Sequence, residues 1–570
     1  MWLLVVWLAI LAVGCISDRR LIIRPDLAGL DAEEGSDVGS DATLPDDTSS
    51  TADLGDSGEA VDQSVAETSD GGTDDVPFTD GASETLTPVI ATIEPEIASL
   101  EFQISPDSQR VVYLKDSNGV VFTQIDLMVA PIGGGTALRL SHEHPLLENY
   151  GVSQFSVTSA LTVVFEGDTE PGAPAGIFVV PILGGEPTRV SGKNLSEGFV
   201  VSADGQRVVF AVPDQGSYGV FRTPVQNPDP GPIGKHYTLA SVDSYAITPN
   251  SSFIVHIGPG DAGLRQLFAT NIIAGLQNAL STVDESVSSF QINSTSTRVV
   301  FQAETAAGLR NLYSVATDGT GKKTLPSGPI VGLGAFDIGG FRISPDGATV
   351  VFVGDPELDG VMRLYSVPTN GGLQHTLSLT DAPDVTKRVD PALVRFSEDS
   401  RRVVFAGDLE TDGVVRLYSA PLPDGPSIPL LPSDRPALSV VSRSGSTFRV
   451  VGGRVIFVGA SGAGTETLYA VPVEGGELVT LSESPIAAFE PALIPDVGSG
   501  RLFAALIGAQ GATQLILLPI DGGETTPISM NEGSDLDVQR FLVSPDGVYV
   551  VFGGDLEIVG KVGLFSAWLP

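Results

Sequence analysis

Two short acidic runs are the first places in this chain where residue type and spacing suggest chemistry. Asp355-x-Glu357-x-Asp359-Gly360 recurs as Asp408-x-Glu410-x-Asp412-Gly413, three acids at alternate positions ahead of a glycine. Hard oxygens gathered in one tight turn are what a calcium ion takes, and the pattern matches the first half of a calcium loop. It is incomplete. The twelfth positions are Ser366 and Ser419, where an EF-hand loop carries Glu, and Arg363 and Arg416 follow the runs. The plainer reading is a solvated hairpin turn, with calcium as the alternative and no other cofactor expected. His142-Glu143-His144 is the one close histidine pair. Histidines two apart point to opposite sides of a strand, so they share a metal only from a loop. The remaining histidines, His236, His256 and His375, are scattered. The chain has no G-x-S-x-G, its single cysteine is Cys15, and no hydrolase domain is expected beyond Pro570.

The elements that must hold these residues form a repeat. Ile343 to Gly372 reads ISPDGATVVFVGDPELDGVMRLYSVPTNGG. Pro345 presets φ and Gly347 accepts the positive φ that closes a tight reversal, and β-branched Val350-Val351-Phe352 reads as a buried strand. A second reversal leads to Leu364-Tyr365-Ser366-Val367, which ends at Pro368 and the Asn370-Gly371-Gly372 turn. Such a unit cannot bury its own faces, so it must stack on copies of itself. The VVF-like strand returns from Val111, Val163, Val208, Ile254, Val299, Val350, Val403, Val455, Leu502 and Val550, a spacing of about 49 residues.

Each unit therefore predicts four antiparallel strands, and radial repetition of such sheets leaves only short protected edges. The expected fold is an all-β propeller of about ten four-stranded repeats over residues 88–570. Its last unit lacks a fourth strand before Pro570, and Val89–Ile93 is the strand expected to supply it, closing one ring. Two smaller rings, or eight blades with irregular units, are the alternatives. The SPDG, VVF and LYSVPTNGG segments resemble the TolB-type propeller repeat of bacterial envelope proteins. That resemblance implies architecture and an envelope setting, and it says little about function because one repeat serves scaffolds, transport proteins, peptidase propellers and lyases. The small α/β domain that precedes the TolB blades has no counterpart here, so that family's partner is not carried over.

Met1–Val13 is an unbroken apolar run ending in Gly14-Cys15, too short to span a bilayer comfortably and suited to a signal peptide. LAVGC resembles the bacterial lipobox, which implies lipidation of Cys15 and a signal over residues 1–15. Ala12 stands where Leu is usual and no basic residue precedes the run, so plain secretion and an uncleaved anchor stay open. Residues 16–87 read as a disordered acidic tether, because residues 31–87 hold seventeen Asp and Glu and no Lys or Arg. Like charges keep such a segment extended, as a spacer from a lipid surface.

The formal net charge is −39, of which about −23 falls on residues 88–570. A field of that sign repels phosphate backbones and excludes nucleic acid as a partner. Asp337, Asp390, Glu490 and Asp537 stand just before first strands of their units. In a propeller they would share one face and form an acidic rim for a basic loop. The functional expectation is a non-catalytic, lipid-anchored envelope protein, periplasmic or at the cell surface, that binds a protein or carbohydrate. The alternative is a metal-dependent polysaccharide lyase or hydrolase on the ring axis.

Overall fold

Two units divide the chain, Met1–Leu86 and Thr87–Pro570, and every residue described below belongs to the second. The computed structural model describes residues 90–568 apart from 118–123, 143–149, 168–174, 192–197, 215–216, 227–230, 233–244, 261–262, 306–309, 326–337, 355–361, 379–387, 412, 436–437, 442–447, 461–465, 483–492, 495–500, 508–512, 530–537 and 559–560. Cys15 and the tether at 16–87 lie outside the described residues.

Every regular element among the described residues is a β-strand. The strands form nine hydrogen-bonded sheets: seven of four strands, one of five and one of eight. The eight-stranded sheet is two four-stranded antiparallel meanders joined by a short parallel contact, Gln124 opposite Tyr150 and Ile125 opposite Gly151. The architecture is all-β and propeller-like. Units are named here by their second strands: unit one by Arg110–Asp116, unit two by Thr162–Gly167, unit three by Arg207–Asp214, unit four by Phe253–Pro259 and unit five by Arg298–Thr305. Units six to ten follow with Thr349–Gly354, Arg402–Gly407, Arg454–Ala460, Arg501–Ile507 and Tyr549–Ile558. Ile90–Glu94 runs antiparallel to Lys561–Trp568, with Ile90 opposite Ala567 and Thr92 opposite Phe565.

Alternation along the second strand explains why the VV dipeptide recurs, since successive side chains leave a strand on opposite faces. Val299 packs with Val255, Ile257 and Leu267 of unit four, while Val300 packs with Val350 and Phe352 of unit six. Val351 then joins Val403 and Phe405 of unit seven, and Val404 joins Val455 and Phe457 of unit eight. At the chain ends Val550 packs with Leu515 and Leu517, and Val551 with Val111 and Tyr113. Each buried valine contributes about 1.5–3 kcal/mol, and a unit without neighbours would leave both of its faces wet. The third residue of the motif stacks on an aromatic of the third strand. Phe352 lies 5.3 Å from Tyr365, Phe405 5.6 Å from Tyr418 and Phe457 5.6 Å from Tyr469, ring centre to ring centre.

The turn between first and second strands is built by its own side chains. Ser344 Oγ donates to Asp346 Oδ1 at 2.5 Å and accepts the Thr349 amide at 3.0 Å, while Asp346 Oδ1 also accepts the Ala348 amide at 3.0 Å. The fourth turn residue adopts positive φ, 74° at Gly347 but also 57° at Ser108 and 58° at Ser251 and Ser400. Where a serine stands there, its hydroxyl reaches the neighbouring unit. Ser251 Oγ accepts the Asp204 amide at 3.1 Å, and Ser400 Oγ accepts that of Asp346 at 3.0 Å.

Candidate ligand-binding wall on the first strands

First strands of successive units lie side by side, and two of them are bridged by a glutamine. Gln103 of unit one donates from Nε2 to Phe155 O at 3.0 Å and accepts the Val157 amide at 3.0 Å. Gln291 of unit five does the same toward unit six, to Phe341 O at 2.8 Å and from the Ile343 amide at 3.2 Å. An amide side chain suits this place because it offers a donor and an acceptor together. Both glutamines sit opposite the second valine of their unit, Gln103 opposite Val112 and Gln291 opposite Val300.

The same register position holds arginine in three consecutive units. Arg342 lies opposite Val351, Arg395 opposite Val404 and Arg449 opposite Ile456. Burial, and then the charges of Arg342 and Arg449, push the Arg395 guanidinium down to about 10. Burial alone lowers Arg342. Among the described residues none of the three is in an ion pair. The motif reading passed over them. The signal lay in the residue two places before the turn serine for Arg342 and Arg395, while Arg449 precedes a Gly452-Gly453 turn with no serine.

The acids singled out from sequence are placed differently. Of the four rim carboxylates only Asp390 is among the described residues; Asp337, Glu490 and Asp537 lie outside them. Asp390 is exposed at the start of Val389–Phe396 and accepts the Ala392 amide at 2.9 Å.

In the acidic runs, Asp355, Glu357, Asp359 and Asp412 lie outside the described residues. Asp408 Oδ1 accepts the Arg388 amide at 2.8 Å. Glu410 turns to Arg416, with Oε2 3.5 Å from Nε. Arg416 is buried and donates to Leu431 O at 2.8 Å, Pro432 O at 3.1 Å and Arg435 O at 3.3 Å. These two carboxylates therefore face different partners within the protein. Among the described residues no group of three or more His, Cys, Asp or Glu is arranged to hold a metal ion.

Two histidines have structural places. His142 packs its edge on Phe178 at 5.6 Å. His256 takes the aromatic position of unit four, where the motif reads VH for VF, and stacks on Phe268 at 5.5 Å. Burial pushes it down to about 4. His144 and His236 lie outside the described residues.

No family model matches the chain, and no curated protein matches it. Solved structures do. Dipeptidyl peptidase 4 of Porphyromonas gingivalis is 12% identical with a TM-score of 0.43, over 72% of this chain and 65% of that one. TolB of Acinetobacter baumannii is 12% identical with a TM-score of 0.26, over 47% of this chain and 66% of that one. A puromycin-hydrolyzing peptidase of Mycobacterium tuberculosis is 13% identical with a TM-score of 0.31, over 62% and 58%. The chain thus spans less than two thirds of the length of each. These likenesses concern the fold alone. They also correct the expectation that the chain is not an enzyme: peptidases stand among the similar structures, so a propeller of this kind does not place a chain outside the enzymes.

Proposed function

We propose that this chain is an exported envelope lipoprotein whose sheets form a single ring of ten, and that the ring recognises a protein or carbohydrate partner where its first strands converge. The ring reading is supported by apolar clusters between each pair of successive units, with a further one uniting Val551 and Leu564 with Val111 and Tyr113. The strand Ile90–Glu94, paired to the last strand of the chain, would close it. Closure removes the exposed sheet edges that otherwise template aggregation. The anchoring reading rests on LAVGC, on Cys15 as the single cysteine and on the acidic composition of the tether.

The observation that carries the recognition reading is the shared register of Arg342, Arg395 and Arg449. At this register position units one and five carry a bridging glutamine, whereas these three units carry a cation that cannot make that bridge. A photo-crosslinking residue at position 390, beside the wall, tests the reading against one at Leu373, a 73% exposed site at the turn between third and fourth strands. In intact envelopes position 390 is expected to yield a discrete adduct and position 373 none. Equal labelling from both would sink it. A Cys15→Ser variant is expected to leave the membrane fraction, and its retention there would remove the lipid anchor.

A further inference from the structure

Three cations at one repeat position require a reason. In units one and five that position carries Gln103 and Gln291, each making two hydrogen bonds to the next first strand. Arginine cannot reproduce this bridge because it has no acceptor. Arg342 Nε is buried and without a hydrogen-bond partner. Arg395 turns Nη1 onto its own strand, to Ala392 O and Val394 O at 2.9 Å each, and lays its guanidinium over the Phe448 ring at 5.9 Å. Arg540 of unit ten shows what a structural arginine does on these strands: Nη1 donates across to Leu100 O at 2.9 Å and the head stacks on Phe102 at 5.3 Å.

Partly buried like charges on neighbouring strands repel one another, and an unpaired buried donor costs about 1–3 kcal/mol. A bound anion that accepted from these heads would offset both costs. A guanidinium presents a planar fork that fits carboxylate or phosphate oxygens in pairs. Three forks at one register position on successive first strands suit a ligand with more than one such group.

We propose that Arg342, Arg395 and Arg449 form a binding site for a small ligand carrying two or more oxyanion groups, carboxylate or phosphate. This rests on the recognition reading above and names the chemistry of what is recognised. The full chain is titrated calorimetrically with tricarballylate, pyrophosphate, trigalacturonate and, as the monovalent control, acetate. At least one multivalent probe is expected to bind ten-fold or more tighter than acetate, with affinity falling as salt screens the site. Tighter binding of trigalacturonate than of tricarballylate assigns the source to a glycan, and the reverse assigns it to a free acid.

Arg342→Gln, Arg395→Gln and Arg449→Gln install the residue that units one and five already carry, so each variant is expected to keep the melting temperature. Each should weaken binding about ten-fold, and the triple variant should abolish it. Arg395→Lys keeps the charge without the fork and should fall between. The proposal is overturned if no multivalent probe outbinds acetate, or if the folded triple variant binds within two-fold of the parent. Unchanged crosslinking at position 390 in a triple variant that has lost probe binding would separate the two readings, leaving partner recognition without the anion site as its basis.

Discussion

The backbone amide of Asp546 donates to Ser108 Oγ at 3.1 Å, tying the turn of the last unit to that of the first across 438 residues of chain. The same contact joins units three and four through Asp204 and Ser251, and units six and seven through Asp346 and Ser400. A bond that joins neighbouring repeats elsewhere here joins the two ends of the described chain. It acts beside the Ile90–Glu94 ladder and the Val551–Val111 cluster, which join the same two ends.

Ser108 stands at φ 57°, so its replacements separate two effects. Ser108→Ala keeps the backbone strain and loses the acceptor, and should cost about 1 kcal/mol. Ser108→Gly also loses the acceptor but relaxes the strain, and should cost less than Ser108→Ala. Urea unfolding of the two variants side by side checks the order; a more stable Ser108→Ala than Ser108→Gly would contradict it.

His256 makes stability depend on pH. Its folded value, pushed to about 4 by burial, lies below the unfolded value near 6.5. The unfolded chain therefore binds the extra proton first. The His256 contribution is complete above about pH 6.5, declines as pH falls toward 4 by about 1.4 kcal/mol per pH unit, and is constant below that. His256→Phe restores the motif of the other units and should flatten the decline between pH 6.5 and 4. Melting temperatures across that window, compared between the two proteins, give the answer.

Glu94 is buried where the N-terminal strand meets unit one. Its Oε2 accepts Tyr113 OH at 3.0 Å and its Oε1 accepts Lys115 Nζ at 2.9 Å. Burial first, and then the Glu94 charge, raises the Tyr113 phenol far above its usual range, so it serves as a fixed donor. Glu94→Ala strands that hydroxyl and should cost about 3 kcal/mol. Glu94→Gln keeps an acceptor for Tyr113 and should cost about half as much. Chemical denaturation distinguishes the two.

Arg416 and Glu410 differ in what they hold. Arg416 is 3% exposed at its side chain and gives hydrogen bonds to three carbonyls, whereas Glu410 is 48% exposed. Arg416→Leu leaves those carbonyls without their donor and should cost about 3 kcal/mol, against less than about 1 kcal/mol for Glu410→Gln. Comparable losses would mean that the ion pair, not the carbonyl clasp, holds this corner.

Much of the fold is legible in local residues. Ser344-Pro345-Asp346-Gly347 and Val350-Val351-Phe352 specify a turn and a strand by backbone preference and alternation alone, and the repetition of that pattern dictates stacked four-stranded sheets. Function was less legible. The acids that drew attention did so by local spacing, and of them Glu410 lies against Arg416. Arg342, Arg395 and Arg449 are 53 or more residues apart in sequence, and no motif links them.

Sequence alone therefore settled what each unit is made of: its turn chemistry, its two-faced valine pair and its need for neighbours, because those depend on interactions spanning a few residues. Tertiary structure alone decided which side chains of different units stand together. Adjacency between strands is a property of packing across the sheets, and no pattern within one unit encodes that Arg395 lies between Arg342 and Arg449.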